Sequence, residues 1–277
     1  MKNLDSNNSR IFLVGSARSG TTLLQSMLAS HPEIFSFPET HFFRGTVPKI
    51  PLMRMVKYYG KKERHFIIQF LNKIERSDLI SKVPIATYST KEWITSLISL
   101  LDLIAKNSQL KIWLEKTPMH LYFATLIEKI FPNTKFIHII RDGEDVVASL
   151  YEASKNNPEY FDGEQSINRC ILRWKIDIQI HKKHLGKSNH HFIRYKDLIY
   201  NTDDALGRLS EFLEIEYSDE MRSFTHKTKE LKFPEEEWKP DQSEELKESN
   251  KFKKIFSIDE QTEIQSKLSS VDLSLFR

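Results

Sequence analysis

Cysteine is almost missing from this chain: Cys170 is the single one in 277 residues. One thiol excludes an intrachain disulfide, and its place on an apolar helical face marks it as a buried structural thiol. Long hydrophobic runs are missing too, since no apolar stretch approaches the length needed to cross a bilayer. The first ten residues, Met1 to Arg10, are polar and lack the apolar stretch of a signal peptide, so a cytoplasmic protein is expected. Charge of one sign is not in strong excess. A formal net charge of +3 is too mild to indicate nucleic acid, and no such partner is expected. Nor does any segment repeat. What remains, 39% apolar and 29% charged residues, is the composition of an ordinary globular chain. Its length suits one α/β domain over residues 1–277 with elaborations.

The most informative stretch is Arg10 to Ser30, RIFLVGSARSGTTLLQSMLAS. Ile11 to Val14 are too few for a helix and read as a strand buried on both faces. Gly15 and Gly20 bracket a loop, and Leu23, Leu24, Met27 and Leu28 then recur at helical spacing. A strand, a glycine-bracketed loop and a helix start gather backbone N–H groups and the positive dipole end in one place, which makes a phosphate cradle. The spacing is that of a triphosphate loop, but Thr21 stands where the lysine belongs. Without that lysine, triphosphate chemistry is disfavoured, while Arg18 still supplies a cation.

Strands alternate with helices along most of the remaining chain. Ile34 to Phe37, Lys111 to Leu114, Lys135 to Ile140 and His190 to Arg194 read as further strands. Thr117 and Asp142 are candidate helix caps, with Pro118 suited to a first helical position. Residues 40 to 110 break the rhythm: Leu52 to Ile74 is loosely helical, and Trp93, Ile94, Leu97, Ile98 and Leu101 make a helical stripe. This segment is expected to be a helical insertion shaping an acceptor pocket. Between Arg44 and Arg64 it carries seven basic residues against Glu63 alone, a patch able to attract an acidic substrate or partner. Phe233 to Asn250 reads as a polar loop and Ile258 to Leu268 as a last helix. The alternation implies a mainly parallel sheet flanked by helices in three layers, whose ligands bind beyond the carboxyl ends of the strands. The Gly15 loop, Glu39, Lys116, Arg141 and Tyr195 each follow an expected strand, so all should meet on one edge.

Ala17-Arg18-Ser19-Gly20-Thr21-Thr22-Leu23-Leu24 resembles the 5′-phosphosulfate loop of sulfotransferases that use 3′-phosphoadenosine 5′-phosphosulfate, in the arginine-bearing branch that includes tyrosylprotein and many bacterial enzymes. The resemblance implies a fold of the P-loop-NTPase type and transfer of a sulfuryl group to a hydroxyl or amine on a small molecule, glycan or peptide, with no metal. It implies that Arg18, Ser19, Gly20, Thr21 and Thr22 hold the 5′-phosphate, with Arg18 also acting in catalysis, and that Arg141 with Ser149 holds the 3′-phosphate. In Arg194-Tyr195-Lys196-Asp197-Leu198 it assigns Tyr195 to adenine, Lys196 standing where relatives carry glutamate. Phe252-Lys253-Lys254-Ile255-Phe256-Ser257 resembles a segment that closes over the 3′-phosphate, which brings in Lys253, although the usual R-K-G lead-in is missing.

For the chemistry, Glu39 is the preferred general base, since Phe35, Phe37, Phe42 and Phe43 nearby could desolvate it. His41 is the alternative base and His31 a further rival, both with a better-placed ordinary pKa. Lys116, in Glu115-Lys116-Thr117-Pro118, resembles the lysine that stabilises the transferring group and the departing oxygen. Two other readings stay open. In a small-molecule kinase, Asp142 would ligate magnesium with help from Thr22; a catalytically inert nucleotide-binding module would use the basic aromatic segment as a contact surface.

Overall fold

The computed structural model describes residues 9–110, 112–161, 163–236, 246 and 249–276. Five parallel strands, β1 (Ser9–Gly15), β2 (Ile34–Ser36), β3 (Ile112–Lys116), β4 (Lys135–Ile140) and β5 (His190–Arg194), lie in the order β2-β3-β1-β4-β5. The helices between and after them are α1 (Thr21–Ala29), α2 (Phe42–Thr46), α3 (Pro51–Met55), α4 (Lys61–Lys73), α5 (Thr90–Lys106), α6 (Ala124–Ile130), α7 (Gly143–Asn156), α8 (Ile167–Lys182), α9 (Tyr195–Tyr200), α10 (Thr202–Leu213), α11 (Thr225–Glu230), α12 (Lys251–Ile255) and α13 (Ile258–Leu268). The parallel sheet flanked by helices is the expected α/β architecture.

The central strand shows why. Phe12 and Val14 face a cluster with Phe42, Phe43, Trp93, Leu97 and Trp113, while Ile11 and Leu13 face Leu23, Leu24, Met27 and Leu209 on the other side. Alternate side chains of a strand point to opposite faces, so only a strand covered by helices on both sides can be apolar throughout. Helices α2, α4 and α5, from the segment that breaks the strand–helix rhythm, supply one covering layer. The apolar stripe of α8 buries Cys170 and Trp174 against α7, α12 and α13. Burial pushes the Cys170 thiol up to about 11, which keeps it protonated near neutral pH.

Strand order also sets the position of the site. From β1 the chain builds β2 and β3 on one side, then crosses to build β4 and β5 on the other. Connections therefore leave the sheet in opposite directions on the two sides of β1, and such a switch point opens a crevice beyond the carboxyl ends. The register aligns Leu13 with Lys116, Gly15 with Ile139 and Ile140 with Arg194, so the strand exits converge there.

Several local expectations change. Leu52 to Ile74 is two helices, separated by a stretch in which Tyr59 pairs with Thr87. Thr117 stands before the 3-10 turn Pro118–Phe123 but does not cap it, because its hydroxyl donates to Glu115 and accepts from the His41 amide instead. Asp142 likewise makes no cap hydrogen bond. Its carboxylate pairs with Arg194 and Lys196, at 2.8 and 2.6 Å. Of the polar loop from 233 to 250, residues 237–245, 247 and 248 lie outside the described residues, as does Lys111 at the start of the third expected strand.

Candidate active site

The loop after β1 takes its shape from two residues in the left-handed region, Arg18 at φ 73° and Gly20 at φ 98°. Backbone of this kind turns successive N–H groups toward one concavity. Between them the Ser19 amide and hydroxyl both donate to the Ser16 carbonyl, at 3.1 and 2.7 Å, and close the turn. Gly20 is required for a second reason: a Cβ there would come 2.4 Å from the Tyr195 ring. The aromatic at the end of β5 is thus packed directly on the loop after β1.

A cleft of about 660 Å³ opens beside this loop. Arg18, Gly20, Thr21, Thr22, Glu39, His41, Arg141, Ser149 and Tyr195 all line it. Ser19, Lys116 and Lys253 do not: the Ser19 hydroxyl is spent on the turn, Lys116 is buried against Glu39 and Thr22, and Lys253 is exposed on α12, whose Phe252 anchors it to the core beside α7. The two expected anion sites adjoin one another. Arg18 Nε donates to Ser149 Oγ at 3.2 Å, Arg141 Nη1 donates to the Arg18 carbonyl at 3.3 Å, and the Arg141 guanidinium lies 4.1 Å from the centre of the Tyr195 ring. Burial, and then the charge of Arg141, hold the Arg18 pKa below its ordinary value. Two guanidiniums brought together this way favour an anion between or beside them.

On the other flank Lys116, 2% exposed, pairs with Glu39, 9% exposed, and donates to Thr22 Oγ1 at 3.3 Å. The second Glu39 oxygen lies 3.5 Å from His41 Nε2. The segment bearing Glu39 is held from both sides. Gln25 on α1 donates to the Phe37 carbonyl at 2.7 Å, and Glu115 on β3 takes the residues that follow. Glu115, fully buried, accepts from the Thr40 hydroxyl at 2.8 Å, the Thr117 hydroxyl at 2.6 Å and His120 Nδ1 at 2.7 Å. The Phe43 amide donates to the other His120 nitrogen at 3.3 Å, which assigns the proton to Nδ1. Burial alone would raise the Glu115 carboxyl, but His120 and the two hydroxyls outweigh it and hold it below the ordinary carboxylate value.

Sequence reasoning left Glu115 without a role. Its signal was faint, a second charged residue next to Lys116 at the end of an apolar strand. Asp177 was missed as well. It accepts from the Tyr122 hydroxyl at 2.7 Å and from Ser16, which buttresses the loop from α8, and burial pushes its carboxyl above the ordinary value. Two expectations are corrected here. His31 is buried with Nε2 2.8 Å from the Glu216 carbonyl and Nδ1 accepting from the Glu33 amide, outside the cleft, so it is no rival base. Asp142 is held by two cations and does not line the cleft, which removes the magnesium ligand required by the kinase reading.

The cleft therefore defines a class: an α/β protein with a glycine loop and two adjoining guanidiniums at its switch point and a buried carboxylate–lysine pair beside them. Residues 10–219 match the sulfotransferase family, and the chain belongs to that family. It is 27% identical over 215 residues to a protein-tyrosine sulfotransferase of Drosophila melanogaster, covering 76% of this chain and 38% of that one. Identity is also 27% over 214 residues to protein-tyrosine sulfotransferase A of Caenorhabditis elegans, covering 76% and 51%. The matched region is thus about half or less of each relative's length. Among solved structures, the sulfotransferase domain from the curacin biosynthetic pathway shares the fold at a TM-score of 0.61 and 21% identity, covering 95% of this chain and 98% of that one. A mouse sulfotransferase complexed with PAP does so at 0.52 and 15%, covering 95% and 83%.

Proposed function

We propose that this sulfotransferase takes its sulfuryl group from 3′-phosphoadenosine 5′-phosphosulfate and passes it to a hydroxyl, or an amine, on an anionic acceptor. The single observation that carries the donor assignment is the meeting of the two anion anchors, the loop bearing Arg18 and the Arg141–Ser149 pair, which touch across 3.2 and 3.3 Å hydrogen bonds. A molecule with phosphates on both ends of one ribose suits adjoining cationic pockets, and the left-handed backbone at Arg18 and Gly20 suits a loop whose amides turn toward an anion. The donor, when bound, supplies an activated sulfuryl group on a phosphate leaving group.

The chain's own residues would then divide the work as follows. Backbone amides of the loop, with Thr21 and Thr22, cradle the 5′ end. Arg141 and Ser149 fix the 3′ end, and Tyr195, braced by Arg141, offers its ring to the base. Arg18 and Lys116 hold positive charge where negative charge collects on the departing oxygen. Glu39 takes the acceptor proton, with Lys116 orienting one of its oxygens and leaving the second toward His41. His41 is the alternative base, 3.5 Å away. The acceptor side is basic: Arg44, Lys49, Arg169 and Arg173 line the cleft among Phe66, Phe70, Tyr122 and Phe161. Such a lining attracts a negatively charged acceptor with apolar or aromatic surface.

The test is nucleotide-dependent stabilisation. Adenosine 3′,5′-bisphosphate without metal should raise the melting temperature in a saturable way, and ATP with magnesium should not. Stabilisation by ATP with magnesium alone would restore the kinase reading, and by neither the inert module. Transfer is then read as the mass gained by phenols, sugars, lipid alcohols or acidic tyrosine peptides supplied with the donor.

A further inference from the structure

At the opposite, amino-terminal edge of the sheet lies a group of histidines that the reaction does not use. His138 on β4, His190 at the start of β5, His181 in the last turn of α8 and His184 just after that helix are buried together under α6, which contributes Thr125 and Glu128. His138 bridges two of the rings: its Nδ1 is 2.8 Å from His181 Nδ1 and its Nε2 is 2.8 Å from His190 Nδ1. A neutral imidazole has one N–H, so the protons along His181–His138–His190 must all point the same way. Among the described residues, His190 Nε2, His184 Nδ1 and His181 Nε2 are buried without a hydrogen-bond partner. His190 Nε2 faces Glu128 Oε1 at 3.6 Å, beyond hydrogen-bonding distance. The other Glu128 oxygen takes Lys187 at 2.6 Å, and His184 Nε2 lies 3.4 Å from the Thr125 hydroxyl.

A polar ring nitrogen buried without a partner costs free energy, and here two such nitrogens and a carboxylate share one pocket. One ligand atom from each of Glu128, His184 and His190 lies within 4.8 Å of the others. In one sense of the proton chain His190 Nε2–H points at Glu128, 3.6 Å away; in the other, His190 Nδ1–H donates to His138, the His181 proton falls on its unpartnered Nε2, and the His190 Nε2 lone pair faces the Glu128 carboxylate. Lone pair and anion repel unless a cation stands between them. That arrangement, a histidine whose second nitrogen is oriented by a buried acceptor, is the outer-shell support that metal-ligating imidazoles require.

We propose that Glu128, His184 and His190 form a structural site for a divalent transition metal of the zinc type, with His138 orienting His190. Two imidazoles and a carboxylate match the ligand preference of zinc and leave a position for water. Ligation at the usual lengths of about 2.0–2.2 Å draws the three donors together by roughly 1 Å, within reach of side-chain rotation. The metal would tie α6 to the turn between α8 and β5. It lies at the opposite edge of the sheet from the cleft, so it is separate from the proposed sulfuryl transfer.

The experiment uses the full chain stripped of metal by chelator and titrated with Co²⁺, then with Zn²⁺. One equivalent of Co²⁺ should bind with the visible absorption of a four-coordinate nitrogen–oxygen site, Zn²⁺ should displace it, and Zn²⁺ should raise the melting temperature. Glu128→Gln should weaken Co²⁺ binding at least tenfold, and His184→Ala should abolish it, both variants still unfolding cooperatively. If His184→Ala does not fold, Glu128→Gln decides alone. The proposal fails if stripped wild-type protein takes up no Co²⁺, or if Glu128→Gln changes its affinity by less than threefold.

Discussion

A buried carboxylate and a buried ammonium stabilise one another only when each has good geometry, and removing one leaves the other stranded. Glu39 and Lys116 are such a pair, with Lys116 also committed to Thr22. In the proposed mechanism this fixes one oxygen and reserves the other for proton transfer. Glu39→Gln should therefore lower kcat by about a hundredfold or more while adenosine 3′,5′-bisphosphate binds within about twofold of wild type, measured by steady-state kinetics and titration calorimetry. Should Glu39→Gln turn over normally and His41→Ala be inactive, the base is His41. Arg141→Ala is expected to act differently, because Arg141 both touches the Arg18 carbonyl and braces Tyr195. Loss of one or two charge-assisted hydrogen bonds, about 1.5–3 kcal/mol each, should weaken bisphosphate binding at least tenfold, read as a reduced thermal shift.

At the level of elements, the end of β3 governs the loop after β2 through Glu115. A hydroxyl that could have capped a helix, Thr117, and one that begins the next turn, Thr40, are both drawn to this carboxylate. Because the folded protein holds the Glu115 carboxyl below its ordinary value, its contribution to stability is complete above the ordinary carboxylate range and is lost as pH falls through it. Glu115→Gln should cost about 3 kcal/mol near pH 7. The gap from wild type should narrow as pH is lowered below the ordinary value of 4.5, followed by thermal melts across that range. A gap that stays constant with pH would show that folding does not shift the Glu115 carboxyl. Thr117 and Asp142 stand at helix starts without capping them because charged partners take their side chains: Glu115, two residues before, takes Thr117, and Arg194 and Lys196, at the end of β5, take Asp142. The partners of Asp142 come from another strand and leave no trace in local sequence spacing.

Across the whole molecule, charge is distributed unevenly relative to the cleft. A net charge of +3 hides a cleft whose described lining includes Arg18, Arg44, Lys49, Lys73, Arg141, Arg169 and Arg173 against Glu39 and Glu235. Screening by salt reaches such exposed charges within a Debye length of about 8 Å at physiological ionic strength. Raising the salt should therefore depress kcat/KM for an anionic acceptor more steeply than for a neutral one of similar shape, in parallel assays. Equal slopes would mean that the basic lining serves the donor alone.

What the order of residues determines by itself is whatever rests on local periodicity: apolar runs for strands, helical stripes, the glycine-bracketed loop, and with them the α/β class and the position of Arg18, Arg141 and Tyr195 at strand exits. Tertiary structure decided what depends on which strand exits become neighbours. Only the alignment of Leu13 with Lys116 sets the lysine beside the loop and Glu39, and only the packing of α8 and β5 around β4 assembles the histidines. Contacts between residues distant in the chain follow from sheet order and side-chain packing, which the nearest neighbours in sequence do not encode.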